Sequence, residues 1–144
     1  MTLHALYCNR CRIRLSAPLE IRPAVEADIM RGLSKDGRDI AIKGVAYRSV
    51  QPVPHGWMQG EHLNFSPQFW LNPDDRTERV ADIQDASRLT GCCGTAGFHG
   101  RNQICRCKAE IGTLHEDCIG PRFFIPEPGT TTMRADTSDY WNYE

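Results

Sequence analysis

Seven cysteines in a chain of 144 residues, gathered into tight groups, constrain this fold more than any other feature. Cys8-x2-Cys11 stands near the N-terminus. The doublet Cys92-Cys93 comes much later, with Cys105-x-Cys107 and Cys118 close behind it. An odd number of cysteines argues against a complete disulfide framework. The opening residues Met1-Thr2-Leu3-His4 have no basic flank followed by an apolar core, so an export signal is not expected and a reducing, cytoplasmic compartment is. Cysteines at this density in such a compartment point to metal.

Zinc prefers four ligands in a tetrahedron, and two thiolates three residues apart can curl around one ion while nearby backbone N–H groups point at the sulfurs. A second cysteine cluster some hundred residues later makes a shared site the natural reading. The expected ligands are Cys8, Cys11, Cys105 and Cys107. Cys105-x-Cys107 is one residue shorter than the ideal pair, and in an extended strand its side chains chelate only with strain. Cys93 and Cys118 therefore stand as substitutes. Seven cysteines and one histidine would also make two tetrahedral sites, with Cys92 and the His115-x2-Cys118 pair completing the second. One Zn2+ is favoured over two. A redox dithiol at Cys8-x2-Cys11 is disfavoured, because the strand-helix setting of thioredoxin-like motifs is missing.

Between the clusters, Gly91, Gly94, Gly97 and Gly100 recur every third residue. At about 1 kcal/mol per glycine relative to alanine, no helix is expected there. A looped backbone that wraps a metal site fits, and the Lys-Ser/Thr ending of a phosphate-binding P-loop is lacking. Residues 91–118, GCCGTAGFHGRNQICRCKAEIGTLHEDC, resemble a motif of uncharacterised bacterial proteins. There a GCCG-x2-G-x2-G-x-N segment is followed by a cysteine pair and then Asp-Cys. Cys92, Cys93, Gly94, Gly97, Gly100, Asn102, Cys105, Cys107, Asp117 and Cys118 match it. Cys8-x2-Cys11 resembles one knuckle of a zinc ribbon. The resemblances imply a ribbon-like zinc core and no particular activity.

The formal net charge is −1, which argues against a dominant nucleic-acid footprint. The balance is uneven, +4 over residues 1–50, −2 over 51–104 and −3 over 105–144. Arg10, Arg12, Arg14 and Arg22 supply part of the basic excess and are the candidate phosphate contacts in a nucleic-acid-binding alternative. No stretch approaches the ~20 apolar residues of a transmembrane helix.

The apolar pattern predicts a small α+β domain: a mostly-β body with one or two short helices and long ordered loops. Leu3–Tyr7 reads as a strand, and Ile13, Leu15, Leu19 and Ile21 as a half-buried strand interrupted by Pro18. Pro23 opens a candidate helix carrying Val25, Ile29 and Leu33. Ile40, Ile42, Val45 and Tyr47 alternate with a slip at Gly44, as at a bulge. Residues 52–73 read as an ordered loop in which Trp57, Phe65, Phe69 and Trp70 pack on the core. Asp74 and Asp75 cap an expected helix with Val80 and Ile83 inward and Gly91 as its stop. Residues 122–125 are a final strand. The zinc-stabilised domain is expected over 1–126, and 127–144, with Tyr140, Trp141 and Tyr143, as a mostly disordered acidic tail.

Catalytic signals are sparse. His55, Glu61 and His62 do not form His-Glu-x2-His, so a metal-dependent hydrolase is the third-ranked function. The leading expectation is a small cytoplasmic zinc protein that serves as a non-catalytic protein-interaction module, ahead of nucleic-acid binding.

Overall fold

A computed structural model describes residues 2–24, 37–49, 68–96, 100–118 and 121–136. Over these the chain is mostly β. Nine strands are present: β1 His4–Cys8, β2 Glu20–Pro23, β3 Val45–Ser49, β4 Gln68–Leu71, β5 Val80–Asp82, β6 Gln103–Cys105, β7 Glu110–His115, β8 Phe123–Pro126 and β9 Thr131–Ala135. Seven form one sheet in the order β2-β3-β4-β8-β7-β6-β5, and β1 pairs with β9 in a second. Among the described strands only β2 and β3 pair in parallel.

The expected helix over residues 74–91 is absent and is replaced by short turns and a strand. Asn72 accepts the Asp74 N–H and caps a single 3-10 turn, Pro73–Asp75. The chain then extends into β5, which pairs with β6 so that Val80 faces Cys105. Asp85 caps a second 3-10 turn, Ala86–Arg88. Asp74 and Asp75 are not caps but lie inside the turn that Asn72 caps, and sheet pairing of Val80–Asp82 overrides the spacing of Val80 and Ile83. The α component of the expected fold class thus reduces to 3-10 turns among the described residues. The candidate helix from Val25 onward lies outside them.

The expected boundary at residue 126 is also corrected. Pro126 closes β8, and Thr131–Ala135 pairs antiparallel with β1 from His4↔Ala135 to Cys8↔Thr131. The β-branched Thr131 and Thr132 suit a strand, and tertiary pairing orders a stretch whose polarity read as tail. Arg14 secures its end with two hydrogen bonds to the Asp136 carboxylate, at 3.0 and 2.9 Å. Tyr140, Trp141 and Tyr143 lie outside the described residues, as do Trp57 and Phe65. Phe69 and Trp70, placed in a loop by the sequence reading, belong to β4.

Local chemistry accounts for the N-terminal arm. β1 and the returning segment 13–19 form an antiparallel hairpin, with Leu15 N–H bonded to Leu6 C=O at 2.7 Å and His4 exchanging bonds with Leu19. Pro18 interrupts the return. The Ser16 hydroxyl fills the gap by accepting the Leu6 N–H at 2.9 Å. At Gly44 the backbone turns with φ of 87°, so β3 starts only at Val45 and Ile42 stays largely exposed.

One buried cluster joins the two sheets. It contains Leu6 from β1, Ala46 from β3, Leu71 from β4, Ile111 and Leu114 from β7, and Phe124 from β8. Cys8 and Cys105 belong to the same cluster, each wholly buried. The core therefore carries two sulfurs at one end, where both hairpin tips meet.

Candidate metal centre

Two hairpin tips build the site. The first follows β1: Cys8 N–H bonds to Ile13 C=O and Arg12 N–H to Cys8 C=O, both at 2.9 Å. The second joins β6 to β7: Cys105 N–H bonds to Ala109 C=O at 2.9 Å and Lys108 N–H to Cys105 C=O at 2.8 Å. The second turn is shorter by one residue, as is the spacing of its cysteines. Cys107 lies in the turn and not in a strand, so the anticipated strain of a Cys-x-Cys strand pair does not arise. In each tip the residue after the second cysteine takes a left-handed backbone, Arg12 at φ 67° and Lys108 at φ 79°. That twist returns the chain while both sulfurs remain on one side.

The tips bring Cys8, Cys11, Cys105 and Cys107 together, with all four sulfurs within 4.8 Å of one another. Cys8 Sγ lies 3.6 Å from Cys107 Sγ, and Cys11 Sγ 3.5 Å from Cys105 Sγ. A tetrahedron of sulfurs at the zinc–thiolate bond length of about 2.3 Å has edges of about 3.8 Å. The four thiols are therefore spaced to hold one metal ion, with Cys8 and Cys105 buried and Cys11 exposed.

Electrostatics favours a cation among them. Burial pushes the Cys8 thiol up, against N–H groups of Cys11 and Arg10 that favour the thiolate. Burial drives Cys105 up to about 12, against the Cys107 N–H. At Cys107 burial is outweighed by the Ala109 N–H and by neighbouring thiols that donate to it, which bring it down to about 7. The backbone is thus aimed at the sulfurs, while burial and mutual proximity oppose four simultaneous thiolates. A bound cation resolves that conflict.

A second group lies on the surface. Cys92, Cys93 and Cys118 are all exposed, their sulfurs also within 4.8 Å of one another, and Cys93 and Cys118 form a disulfide. This group too could hold a metal ion once its thiols are free. Neither Cys93 nor Cys118 joins the four-sulfur cluster, so their expected role as substitutes there does not hold. Asp117 organises the group. It accepts the N–H of Cys92 at 3.1 Å, of Cys93 at 2.8 Å and of Cys118 at 2.9 Å. Burial would raise its carboxyl, but these three N–H groups outweigh that and hold it below the ordinary range. The flanking glycines are needed for close approach: a Cβ on Gly94 would sit 2.4 Å from Glu116 O, and one on Gly91 2.4 Å from Gly94 O.

His115 is not among either group of ligands. It is wholly buried in β7, its ring stacked on Phe123 at 5.2 Å. His55, Glu61 and His62 lie outside the described residues. Of the four candidate phosphate contacts, Arg14 is paired with Asp136 and Arg22 with Glu20. Arg10 and Arg12 are exposed on the first tip, and Arg106 and Lys108, which the sequence reading did not single out, are exposed on the second. Their positions beside Cys105 and Cys107 were the available signal. No described helix is long and apolar enough to cross a membrane. No family model, curated protein or solved structure matches the chain significantly.

Proposed function

We propose that this chain is a small cytoplasmic zinc protein and acts as a non-catalytic protein-interaction module. One structural Zn2+ held by Cys8, Cys11, Cys105 and Cys107 clips its two hairpin tips into a ribbon-like core. The observation that carries this reading is the approach of four sulfurs, in two pairs more than 90 residues apart in the chain, to within 4.8 Å of one another. Four thiolates close the zinc shell, and a closed shell offers no position for substrate or activated water. The metal then contributes to folding and the surface is left for recognition.

Metal analysis of the purified chain and X-ray absorption at the zinc edge test the core of this reading. One zinc per chain with four sulfurs at about 2.3 Å is expected. Less than one equivalent of metal, with every thiol of the four free to titrate, removes it.

A second reading is favoured by one observation: four exposed cations, Arg10, Arg12, Arg106 and Lys108, lie in the two turns that carry the ligands. They offset the −2 formal charge that four thiolates leave on Zn2+, and they also present a basic tip to an anionic partner such as a nucleic acid. Nucleic-acid binding predicts an affinity that falls steeply with salt and is lost on combined Arg10→Glu and Arg106→Glu substitution. No binding of DNA or RNA at low salt ends that reading.

A further inference from the structure

The group Cys92, Cys93 and Cys118 is separate from the four-sulfur site and has its own supporting frame. Its three sulfurs are exposed and mutually within 4.8 Å. The backbone that carries them is fixed by contacts that do not pass through sulfur. Asp117 collects three N–H groups of the very residues that bear the thiols. Gly91 and Gly94 let their loop lie against residues 116–117 at distances no side chain would tolerate. Breaking the Cys93–Cys118 bond removes none of these contacts, so the sulfurs remain gathered when reduced. The Cys118 N–H, 3.2 Å from Cys93 Sγ, is placed to favour negative charge on that sulfur.

We propose that Cys92, Cys93 and Cys118 form a redox-gated site for a soft monovalent ion of the Cu(I) class, closed as the Cys93–Cys118 disulfide and open when that bond is reduced. Three thiolates fall short of the four ligands of a structural zinc site, whereas soft sulfur ligands suit Cu(I), which accepts three-coordinate geometry. Opening consumes one dithiol reductant. Two electrons and two protons pass to Cys93 and Cys118, and the reductant leaves as its own disulfide. Binding then forms three Cu–S bonds and releases three thiol protons. In the closed state only Cys92 retains a thiol, and one ligand does not make a site. Because the sulfurs face solvent, the ion can arrive and leave by exchange with another thiolate carrier. The four-cysteine cluster differs in both respects, having four ligands and a half-buried setting.

The test uses the full chain with its zinc content measured, titrated anaerobically with Cu(I) against a chromophoric copper chelator. The reduced chain is expected to bind one Cu(I) and to keep its zinc. The oxidised chain, with the Cys93–Cys118 bond verified by mass, is expected to bind at least 100-fold more weakly. Cys92→Ser leaves the disulfide pair intact and alters an exposed residue, so it provides a folded control; it should lose at least 10-fold in affinity in the reduced state. Equal binding by oxidised and reduced chains, wild-type affinity in Cys92→Ser, or loss of one zinc for each copper taken up would each overturn the proposal. A chain without zinc that still binds Cu(I) through Cys92 would support it while removing the structural-zinc reading.

Discussion

Cys11 and Cys105, 94 residues apart in the chain, hold their sulfurs 3.5 Å from one another. That is too long for a disulfide, whose sulfurs lie about 2.05 Å apart, and close to the edge of a metal–thiolate tetrahedron. The same relationship recurs between Cys8 and Cys107 at 3.6 Å across 99 residues. Each link crosses from one hairpin to the other, so a metal here closes a loop of some two thirds of the chain. Closing a long loop restricts the unfolded chain, and the free energy of metal binding becomes free energy of folding.

Metal removal should therefore destabilise the protein as a whole. Exhaustive chelation is expected to lower the melting temperature by at least ~10 °C, a loss of several kcal/mol. Cys105→Ser, at a wholly buried sulfur, should reproduce that loss without a chelator. Cys92→Ser, in the surface group, should melt within about 2 °C of the parent. Scanning calorimetry with and without chelator reads all three. A melting curve unmoved by chelation would separate the fold from any metal.

Arg12 and Lys108 occupy matching places after the second cysteine of each tip, both with positive φ. A side chain in that conformation costs about 1–2 kcal/mol, which glycine avoids. Arg12→Gly and Lys108→Gly should each be neutral or stabilising by up to about 1 kcal/mol in urea unfolding, because relief of strain opposes the added freedom of the unfolded glycine. Arg12→Val should destabilise by at least about 1 kcal/mol, since a β-branched residue tolerates the left-handed region poorly. If valine were tolerated as well as glycine, the tip would not require this backbone.

Legibility of the sequence followed the range of the interactions. Cysteine spacing drew attention to the thiols, because two thiols a few residues apart can chelate one ion whatever fold surrounds them. It did not reveal that the missing residue of Cys105-x-Cys107 is absorbed in a turn closed by Ala109, since that depends on where β6 stops. The helix expected from Asp74 failed for a related reason. The polar residues that turn the chain at 72–75 are local and visible, while the pairing of Val80–Asp82 with Gln103–Cys105 is settled more than 20 residues away. Thr131–Ala135 read as tail because its partner, β1, lies at the other end of the chain. Asp117 is visible in the sequence as the neighbour of Cys118, yet its service to three backbone N–H groups appears only once residues 92–93 and 117–118 are in contact.

Asn102 offers a sharper test of the glycine-rich segment. Its side chain is wholly buried and stands in for a strand partner of β7, accepting the Leu114 N–H at 2.7 Å and donating to Leu114 C=O at 2.9 Å. Asn102→Ala strands both buried groups and should cost about 1–3 kcal/mol. Gly94→Ala should cost a similar amount or more, because its Cβ meets the Glu116 carbonyl at 2.4 Å and backbone must shift. Equilibrium urea unfolding measures both. Parental stability in Gly94→Ala would show that this loop need not lie against residues 116–117.

Asp75 gives a pH dependence that is independent of every thiol. Its side chain is buried and accepts the Gly44 N–H at 2.8 Å. Burial raises its carboxyl above the ordinary 3.8, against the lowering effects of the Gly44 N–H and Lys43 and with a further push from Asp74. The folded value thus lies above the unfolded one. Its stabilising contribution is fully present below the unfolded value and is lost as pH rises through the folded value. Asp75→Asn keeps an oxygen for the Gly44 N–H and stays neutral at every pH. The stability of Asp75→Asn relative to the parent should therefore increase as pH is raised from about 3 to about 7 and then level off. Urea unfolding of both proteins across that range reads the difference. A gap that does not change with pH, or that widens in favour of aspartate towards neutrality, would mean that this carboxylate is better solvated than its burial implies.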